Sequence, residues 1–180
     1  MRVFAALELC EKGKQLAEQT CKKIKELDPG ASLVSSGNTH ITLCFLGELS
    51  ESQVEEKRAA FRKLTFKPFN YSLGKTGFFP NNKFIRVVWL SAQSNGKIEQ
   101  LHEKTRGLIA TGTKAEKEKQ FTAHATIARI KSPKNTGAMR ALTTSLNQTV
   151  ECQAQKATLK QTTFEQKKAV YNDLETVTAS

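Results

Sequence analysis

The chain has 180 residues, of which 38% are hydrophobic and 25% charged, a composition typical of a globular fold. Its longest apolar runs have the length of strands, which excludes membrane-spanning helices, and the first residues do not resemble a signal peptide. A formal charge of +11 favours a polyanionic partner, RNA or DNA before others, although solubility alone also explains surface lysines.

The first half of the chain predicts two strand–helix pairs. Residues 2–9 (RVFAALEL) alternate in the pattern of a strand. Residues 11–27 repeat apolar side chains at three- and four-residue spacing, as an amphipathic helix does, and the following DPG ends that helix. A second strand covers residues 40–47. The helix after it begins with Ser50 and Gln53 at capping-box spacing.

The second half predicts more strands than helices. Strands at 69–74 and 83–92 flank the turn-rich FFPNN, and a third helix follows at 96–111. A charged loop, GTKAEKEKQ, precedes a strand that contains His124. Beyond it we predict one short helix and two strands, near 138–146, 152–163 and 169–176.

This order of elements, β-α-β-α-β-β followed by α-β-α-β-β, is typical of the α+β class, with helices packed outside sheets. A strand–helix–strand unit recurs loosely, which suggests two similar lobes. No linker rich in proline, glycine or serine divides the chain. We therefore predict one domain over residues 1–180, built from two intertwined lobes.

The four cysteines are scattered and form no CxxC pair: Cys10, Cys21, Cys44 and Cys152. Metal ligation requires clustered cysteines and histidines. We therefore expect small buried thiols in a reducing, cytoplasmic compartment.

Two segments share a His-x-Thr motif, NTHITLCFLG at 38–47 and TAHATIARIK at 122–131. In a strand, residues i and i+2 point to the same face. Each motif therefore presents an imidazole and a hydroxyl together and turns mostly apolar side chains the other way. Arg129 falls by strict alternation on the apolar side, and a bulge or the end of the strand would redirect it.

Two imidazoles on opposite sides of a phosphorus can act as general base and general acid in one reaction. Their ordinary pKa of roughly 6.5 suits both roles near neutral pH. The threonine hydroxyls can donate to phosphoryl oxygens as charge develops there. The natural substrate is a phosphodiester, and the scheme requires no metal or other cofactor. Chance occurrence of the motif in two ordinary strands is the alternative, because spacing alone does not show that the strands are neighbours.

Several stretches together resemble the 2H (two-histidine) phosphoesterases: HITLCFLG, HATIARI, MRVFAALEL, GFFPNNKFIRVVWL and FTAHATIAR. Within that superfamily the chain is most similar to the RNA 2′,3′-cyclic phosphodiesterases, the LigT-like or 2′–5′ RNA ligase-like proteins. The resemblance implies an α+β fold of two pseudo-symmetric lobes. Each lobe is an antiparallel sheet with helices on the outside, and a central cleft lies between them.

By this resemblance His40 is the proton donor to the departing 3′ oxygen and His124 the proton acceptor from water. Thr42, Thr126 and Arg129 bind the phosphate. The implied reaction hydrolyses RNA ends with a 2′,3′-cyclic phosphate, tRNA fragments among them, to 2′-phosphomonoesters. We also expect a monomer.

Two departures from the family pattern concern the ends of the site. Ala123 stands where proline usually precedes the second histidine. The segment EQKKAVYNDL replaces a Gly-Pro-x-Tyr turn, with Tyr171 matching the tyrosine. Because this turn is replaced, the resemblance does not indicate which C-terminal residues contact the substrate.

Further RNA contacts are predicted at Phe84, Arg86 and Lys131. One of three phenylalanines near the FFPNN turn could stack on a base, although core packing explains most phenylalanines: Phe78, Phe79 and Phe84. Lysines on both sides of the second motif could follow the RNA backbone or form a solvated surface: Lys114, Lys117, Lys119, Lys131 and Lys134.

For His102 and Cys44 we expect structural roles and no part in the chemistry. His102 falls in the third predicted helix, where we expect a partly exposed side chain. Cys44 shares the face of His40 by alternation, and we expect it to pack rather than to act as a nucleophile.

Three alternatives to hydrolysis remain. The same site could join RNA ends in a 2′–5′ linkage without ATP, the chain could be a non-catalytic RNA-binding module, or both histidines could bind a metal. Intact motifs count against the module. The lack of third and fourth ligands counts against the metal.

Overall fold

The computed structural model describes residues 1–117, 120–131, 136–145, 148–165 and 168–180. Its helices and strands are, in chain order, β1 (Arg2–Glu8), α1 (Glu11–Leu27), β2 (Ser32–Leu33), β3 (His40–Glu48), α2 (Glu51–Phe61), β4 (Phe69–Pro80), β5 (Ile85–Gln93), α3 (Lys97–Ile109), β6 (His124–Arg129), α4 (Thr136–Ser145), β7 (Thr149–Ala154), β8 (Lys156–Glu165) and β9 (Lys168–Thr178). Short 3₁₀ turns cover Ser36–Asn38 and Lys114–Lys117.

All nine strands in the described part of the chain belong to one antiparallel sheet, in the order β7-β4-β5-β6-β3-β1-β8-β9, with β2 also paired to β6. Four strands on each side of the centre form two half-sheets, which correspond to the two expected lobes. The strands that contain the His-x-Thr motifs, β3 and β6, are adjacent at the centre. The predicted α+β class with two antiparallel lobes is confirmed.

The helices form where the apolar spacing predicts them. Both halves of the predicted capping box at α2 are present: the amide of Gln53 donates to Ser50 Oγ and the amide of Ser50 to Gln53 Oε1. Such a box satisfies two amides that the first turn leaves without partners. Leu16 of α1 and Leu101 of α3 lie in the same buried cluster as Ile41. The helices thus cover one face of the sheet and leave the His-x-Thr face open.

Two predicted boundaries differ from the structure. FFPNN is not a turn, because β4 continues to Pro80 and pairs Phe78 and Phe79 with β5. The turn itself lies further on, where Asn81 Oδ1 accepts the amides of Lys83 and Phe84, both at 3.0 Å. The strand predicted at 152–163 is two strands, since the chain leaves one edge of the sheet after β7 and enters the other half as β8.

The expectation that every cysteine is a buried thiol is wrong for two of them. Cys10 and Cys152 form a disulfide, with their Cα atoms 5.6 Å apart. Packing of α1 against β7 brings together residues that are 142 positions apart, which sequence spacing does not reveal. Cys21 and Cys44 are buried thiols.

Among the helices within the described ranges, none is both long enough and apolar enough to cross a membrane.

Candidate active site

Both central strands contain a β-bulge at the same place after the histidine. In β3, Thr42 pairs with Ala6 and Cys44 with Ala5, so one extra residue, Leu43, lies between them. In β6 the extra residue is Ile127, between the Thr126–Trp89 and Ala128–Val88 pairs. A bulge of this kind shifts the alternation of side chains by one position.

The bulges decide which residues reach the cleft. Arg129 is exposed and lies on the same side as Thr126, because Ile127 and Ala128 are both buried. In β3 the equivalent position is Phe45, which is 39% exposed and lines the cleft. The predicted placement of Cys44 beside His40 is wrong, since the bulge turns its side chain into the core at 1% exposure.

A single register pair, Ile41 with Ala125, joins β3 to β6. In an antiparallel ladder, this register sets His40 opposite Thr126 and Thr42 opposite His124. Both motifs therefore share one face of the sheet, and each histidine has the threonine of the other motif as its cross-strand neighbour.

The two imidazoles are oriented in the same way. Nδ1 of His40 lies 2.7 Å from the carbonyl oxygen of Asn38, and Nδ1 of His124 lies 2.7 Å from that of Thr122. A carbonyl oxygen can only accept, so in each ring Nδ1 donates its proton. The neutral ring therefore has an unprotonated Nε2, which is the atom able to take up a proton.

Aromatic side chains surround each imidazole. Phe4 stacks on His40 at 4.8 Å between ring centroids, and Tyr171 meets that ring edge-on at 5.4 Å. Around His124, Phe79 lies edge-on at 4.9 Å and Trp89 is tilted at 5.8 Å. Each half-sheet thus supplies two aromatic rings to its own histidine.

Gly77 leaves space for the indole ring of Trp89 beside His124. It pairs with Trp89 across β4 and β5, and a Cβ added at Gly77 would lie 2.2 Å from the indole ring. No real Cβ comes that close to a neighbouring atom, so the indole packs directly over the backbone. A side chain at this position would displace Trp89 from His124.

Burial lowers the pKa of both histidines. The pKa of His40 falls to about 4, chiefly because burial disfavours the charged ring, although the Asn38 carbonyl and the Glu8 carboxylate act in the opposite direction. The pKa of His124 is lowered for the same main reason, and the charge of Arg129 adds to the effect. Both rings are therefore neutral at pH 7 before an anion binds.

His40, Thr42 and Thr126 line a cleft of about 420 Å³. His124 lies on the same face of the sheet but is not among the residues that line this cleft. Polar and aromatic side chains both line it: Arg2, Phe4, Val34, Asn38, His40, Thr42, Phe45, Thr126, Arg129, Thr162, Phe164, Ala169 and Tyr171. The cleft offers the unprotonated imidazole nitrogen of His40, the hydroxyls of three threonines and the guanidinium groups of Arg2 and Arg129 to a bound anion.

The other predicted RNA contacts form a separate cluster. The guanidinium of Arg86 lies 4.6 Å from the ring centre of Phe84 and donates to the carbonyl oxygen of Lys131 at 2.6 Å. None of the three lines the cleft. Lys119 and Lys134 lie outside the described residues.

His102 differs from its predicted exposure. It is 5% exposed, its Nδ1 lies 2.5 Å from the carbonyl oxygen of Leu43, and its ring stacks on Phe121 at 4.0 Å. The bulge in β3 leaves that carbonyl available to a side chain from α3. His102 therefore stabilises the bulge from the side opposite the cleft.

The sequence gives little signal for several residues that line the cleft. Arg2 and Phe4 lie on the face of β1 opposite the predicted apolar side, but nothing in the strand pattern connects that face with His40. Phe164 is 63% exposed and belongs to β8, far along the chain. Only the strand order brings these residues beside the histidines.

The described part of the chain contains no group of three or more His, Cys, Asp and Glu side chains arranged to bind a metal.

Comparison with known proteins identifies the family. The model of the family described as LigT like Phosphoesterase matches residues 7–89. A protein of Methanocaldococcus jannaschii named RNA 2′,3′-cyclic phosphodiesterase is 34% identical over 131 residues, 73% of this chain and 72% of its own length. The chain belongs to the LigT-like phosphoesterases. A Thermotoga maritima protein with the same name is 32% identical over 133 residues, 73% of this chain and 71% of that protein.

Two solved structures cover almost the whole chain and share its fold. The crystal structure of TT0787 of Thermus thermophilus superposes with a TM-score of 0.81 and 27% identity, over 99% of this chain and 97% of that one. Escherichia coli LigT complexed with 3′-AMP has a TM-score of 0.74 at 21% identity, over 99% and 98% of the two chains, which shows the fold alone.

Proposed function

We propose that the protein is an RNA 2′,3′-cyclic phosphodiesterase that opens the cyclic phosphate at RNA ends to leave a 2′-phosphomonoester. The observation that carries this proposal is the position of two His-x-Thr motifs, each followed by a matched bulge, on one face of two adjacent central strands. His40, Thr42 and Thr126 line the cleft on that face. Curated relatives that cover about three quarters of the chain are named for this activity.

The reaction adds water to phosphorus and breaks the bond between phosphorus and the 3′ oxygen. In the proposed roles, His124 Nε2 takes a proton from the attacking water, and His40 gives a proton to the departing 3′ oxygen. The two protons balance, so after the reaction the histidines have exchanged protonation states. His40 must enter the reaction as an imidazolium.

Because the pKa of His40 is low, its imidazole takes up the proton that it later donates only when the substrate binds. Burial keeps the ring neutral in the free site, and a bound phosphate anion next to Nε2 favours the protonated ring. We therefore assign proton uptake by His40 to substrate binding. The resulting imidazolium–phosphate pair exists only when the cleft is occupied.

Thr42, Thr126 and Arg129 are the proposed phosphate ligands. The threonines are half-buried on the cleft face, one beside each histidine, and can donate to the two non-bridging oxygens. Arg129 supplies a fixed positive charge at the wall of the cleft. Hydroxyl and guanidinium donors that are already in place stabilise the charge that develops on phosphorus.

The proposed partner is therefore an RNA end, with tRNA fragments as one source, and the net charge of +11 supports a polyanion. We further propose that the chain is a single domain, acts as a monomer and works in the cytoplasm.

The direct test uses an RNA oligonucleotide with a 2′,3′-cyclic phosphate end, excess EDTA and no ATP. Formation of the 2′-phosphate is expected, and its absence would refute the hydrolase. A parallel reaction contains a second RNA with a 5′-hydroxyl end. Dominant 2′–5′ joining there would make the protein a ligase, and binding without either product would make it a non-catalytic RNA-binding module.

A further inference from the structure

A cluster of charged side chains lies beside His40 on the cleft face of the sheet. Glu8 ends β1 and is the register partner of His40. Lys160 of β8 places its Nζ 2.8 Å from Glu8 Oε1 and 2.6 Å from Asp173 Oδ1 on β9. Three adjacent strands thus contribute one side chain each to what we call the Glu8 cluster: Glu8, Lys160 and Asp173.

Lys160 is unusually buried for a lysine, at 7% exposure. Burial alone would lower its pKa, but hydrogen bonds and ion pairs with Asp173 and Glu8 outweigh burial and raise it. The ammonium is therefore charged and lies between two carboxyl groups. A buried charge is kept only where partners compensate its lost hydration.

Two members of the Glu8 cluster, Glu8 and Lys160, influence the charge of His40. Charged and titratable groups act on or contact this ring from four strands: Glu8 from β1, Lys160 from β8, Tyr171 from β9 and His124 from β6. Asp173 of β9 faces Lys160. Burial is the main influence and disfavours the imidazolium, Glu8 favours it, and Lys160 and His124 oppose it. Glu8 makes no hydrogen bond to the ring, whose Nδ1 is bonded to the Asn38 carbonyl.

We propose that Glu8 is a positioning residue of the reaction, whose carboxylate stabilises the protonated form of His40 while Lys160 and Asp173 hold that carboxylate in place. The inference rests on the proposed function, in which His40 donates a proton. Glu8 itself does not touch the substrate. Lys160 limits the effect of Glu8, so the two residues influence His40 in opposite directions.

The test compares Glu8→Gln and Lys160→Met, with Glu8→Asp as a matched control that keeps the charge. NMR titration of the His40 ring in the unliganded protein gives the midpoint without requiring turnover. Glu8→Gln is expected to lower the midpoint and Lys160→Met to raise it, each by roughly one pH unit. Glu8→Asp should stay close to the wild type.

The same variants are then assayed for kcat against pH with the cyclic phosphate substrate. The alkaline limb of the profile, where His40 loses its proton, should shift to lower pH in Glu8→Gln and to higher pH in Lys160→Met. A purely structural cluster would lower stability in both variants without opposite shifts, and that result would overturn the proposal. If Glu8→Gln does not fold, an unshifted midpoint in Lys160→Met is sufficient to refute it.

The two measurements separate this inference from the proposed function. A wild-type protein without turnover refutes the hydrolase, and the titration still decides whether Glu8 and Lys160 act on His40. A working hydrolase with unshifted midpoints leaves the function intact and refutes the role of Glu8.

Discussion

Ile41 of β3 pairs with Ala125 of β6, and this pair is the centre of the site because it joins the two half-sheets. Both side chains are fully buried, so the residues on either side of them face the cleft. Continuing the register places His40 and His124 diagonally across the ladder, a relationship that separates Cα atoms by about 7–8 Å in regular sheets. In the proposed reaction the phosphate lies between the two imidazoles.

The assigned roles predict that His40→Asn and His124→Asn each lose most of their activity. Asparagine can still donate to the backbone carbonyl that each ring contacts, but it cannot transfer a proton in the required way. We expect kcat to fall about 10²–10⁴-fold, the usual contribution of one acid or base. Turnover of the cyclic phosphate and binding of a non-hydrolysable RNA are measured together. Retention of full turnover in either variant would contradict the paired roles.

His102→Asn is the matched control for these variants. It removes the one histidine outside the two motifs, whose ring is buried on the opposite side of β3. The loss of its stacking on Phe121 should lower the melting temperature. The kcat of the folded fraction should stay within a few-fold of the wild type.

How far the sequence predicts this site depends on the type of signal. Periodicity predicts α1 and α2 because burial of one helix face depends on local spacing. Alternation correctly places each histidine with its own threonine. It fails after Thr42 and Thr126, where an extra residue shifts the pattern, and so it misplaces Cys44 and leaves Arg129 on the wrong side.

The walls of the site are not predictable in this way. Phe4 and Tyr171 both contact His40, yet they belong to strands at opposite ends of the chain. The disulfide between Cys10 and Cys152 likewise joins residues that are far apart in the chain. Such contacts depend on the order of strands in the sheet, and local pattern contains no information about that order.

The lowered pKa of His40 predicts a loss of stability in acid. The unfolded chain takes up a proton near pH 6.5 and the folded protein only near pH 4, so between these values the unfolded state binds more protons. Stability should therefore fall as pH drops through this window and the effect should level off below it. His124 acts in the same direction.

The measurement is the free energy of unfolding from pH 7 to pH 4, for the wild type and His40→Asn. The wild type should lose on the order of 1–3 kcal/mol more than the variant across this range. A difference between the two proteins that does not change with pH would show that His40 titrates normally in the folded state.

The disulfide predicts a specific thiol count and a sensitivity to reductant. Unfolded without reductant, the protein should show two reactive thiols, from Cys21 and Cys44, and four after reduction. Reduction should destabilise the fold by about 2–4 kcal/mol, because the bond restricts the unfolded chain. Cys10→Ser should melt at the same temperature with and without reductant. Four thiols in the untreated protein would contradict the bond.

Two exposed phenylalanines at the cleft, Phe45 and Phe164, predict a contact to the terminal base. They are 39% and 63% exposed, and aromatic rings next to an RNA site commonly stack on unpaired bases. Since stacking contributes about 1–3 kcal/mol per base, Phe45→Ala or Phe164→Ala should raise KM by about 5- to 150-fold with little change in kcat. Phe84→Ala is the control, because that ring is 50% exposed but lies outside the cleft.

A substrate without a base sharpens this comparison. Ribose 2′,3′-cyclic phosphate retains the reacting phosphate and has no ring to stack, so its KM should be the same in the wild type and both cleft variants. An equal rise in KM for this substrate would mean that the phenylalanines shape the cleft and do not hold the base. A larger effect from Phe84→Ala than from either cleft variant would place the RNA along the cluster of Phe84, Arg86 and Lys131.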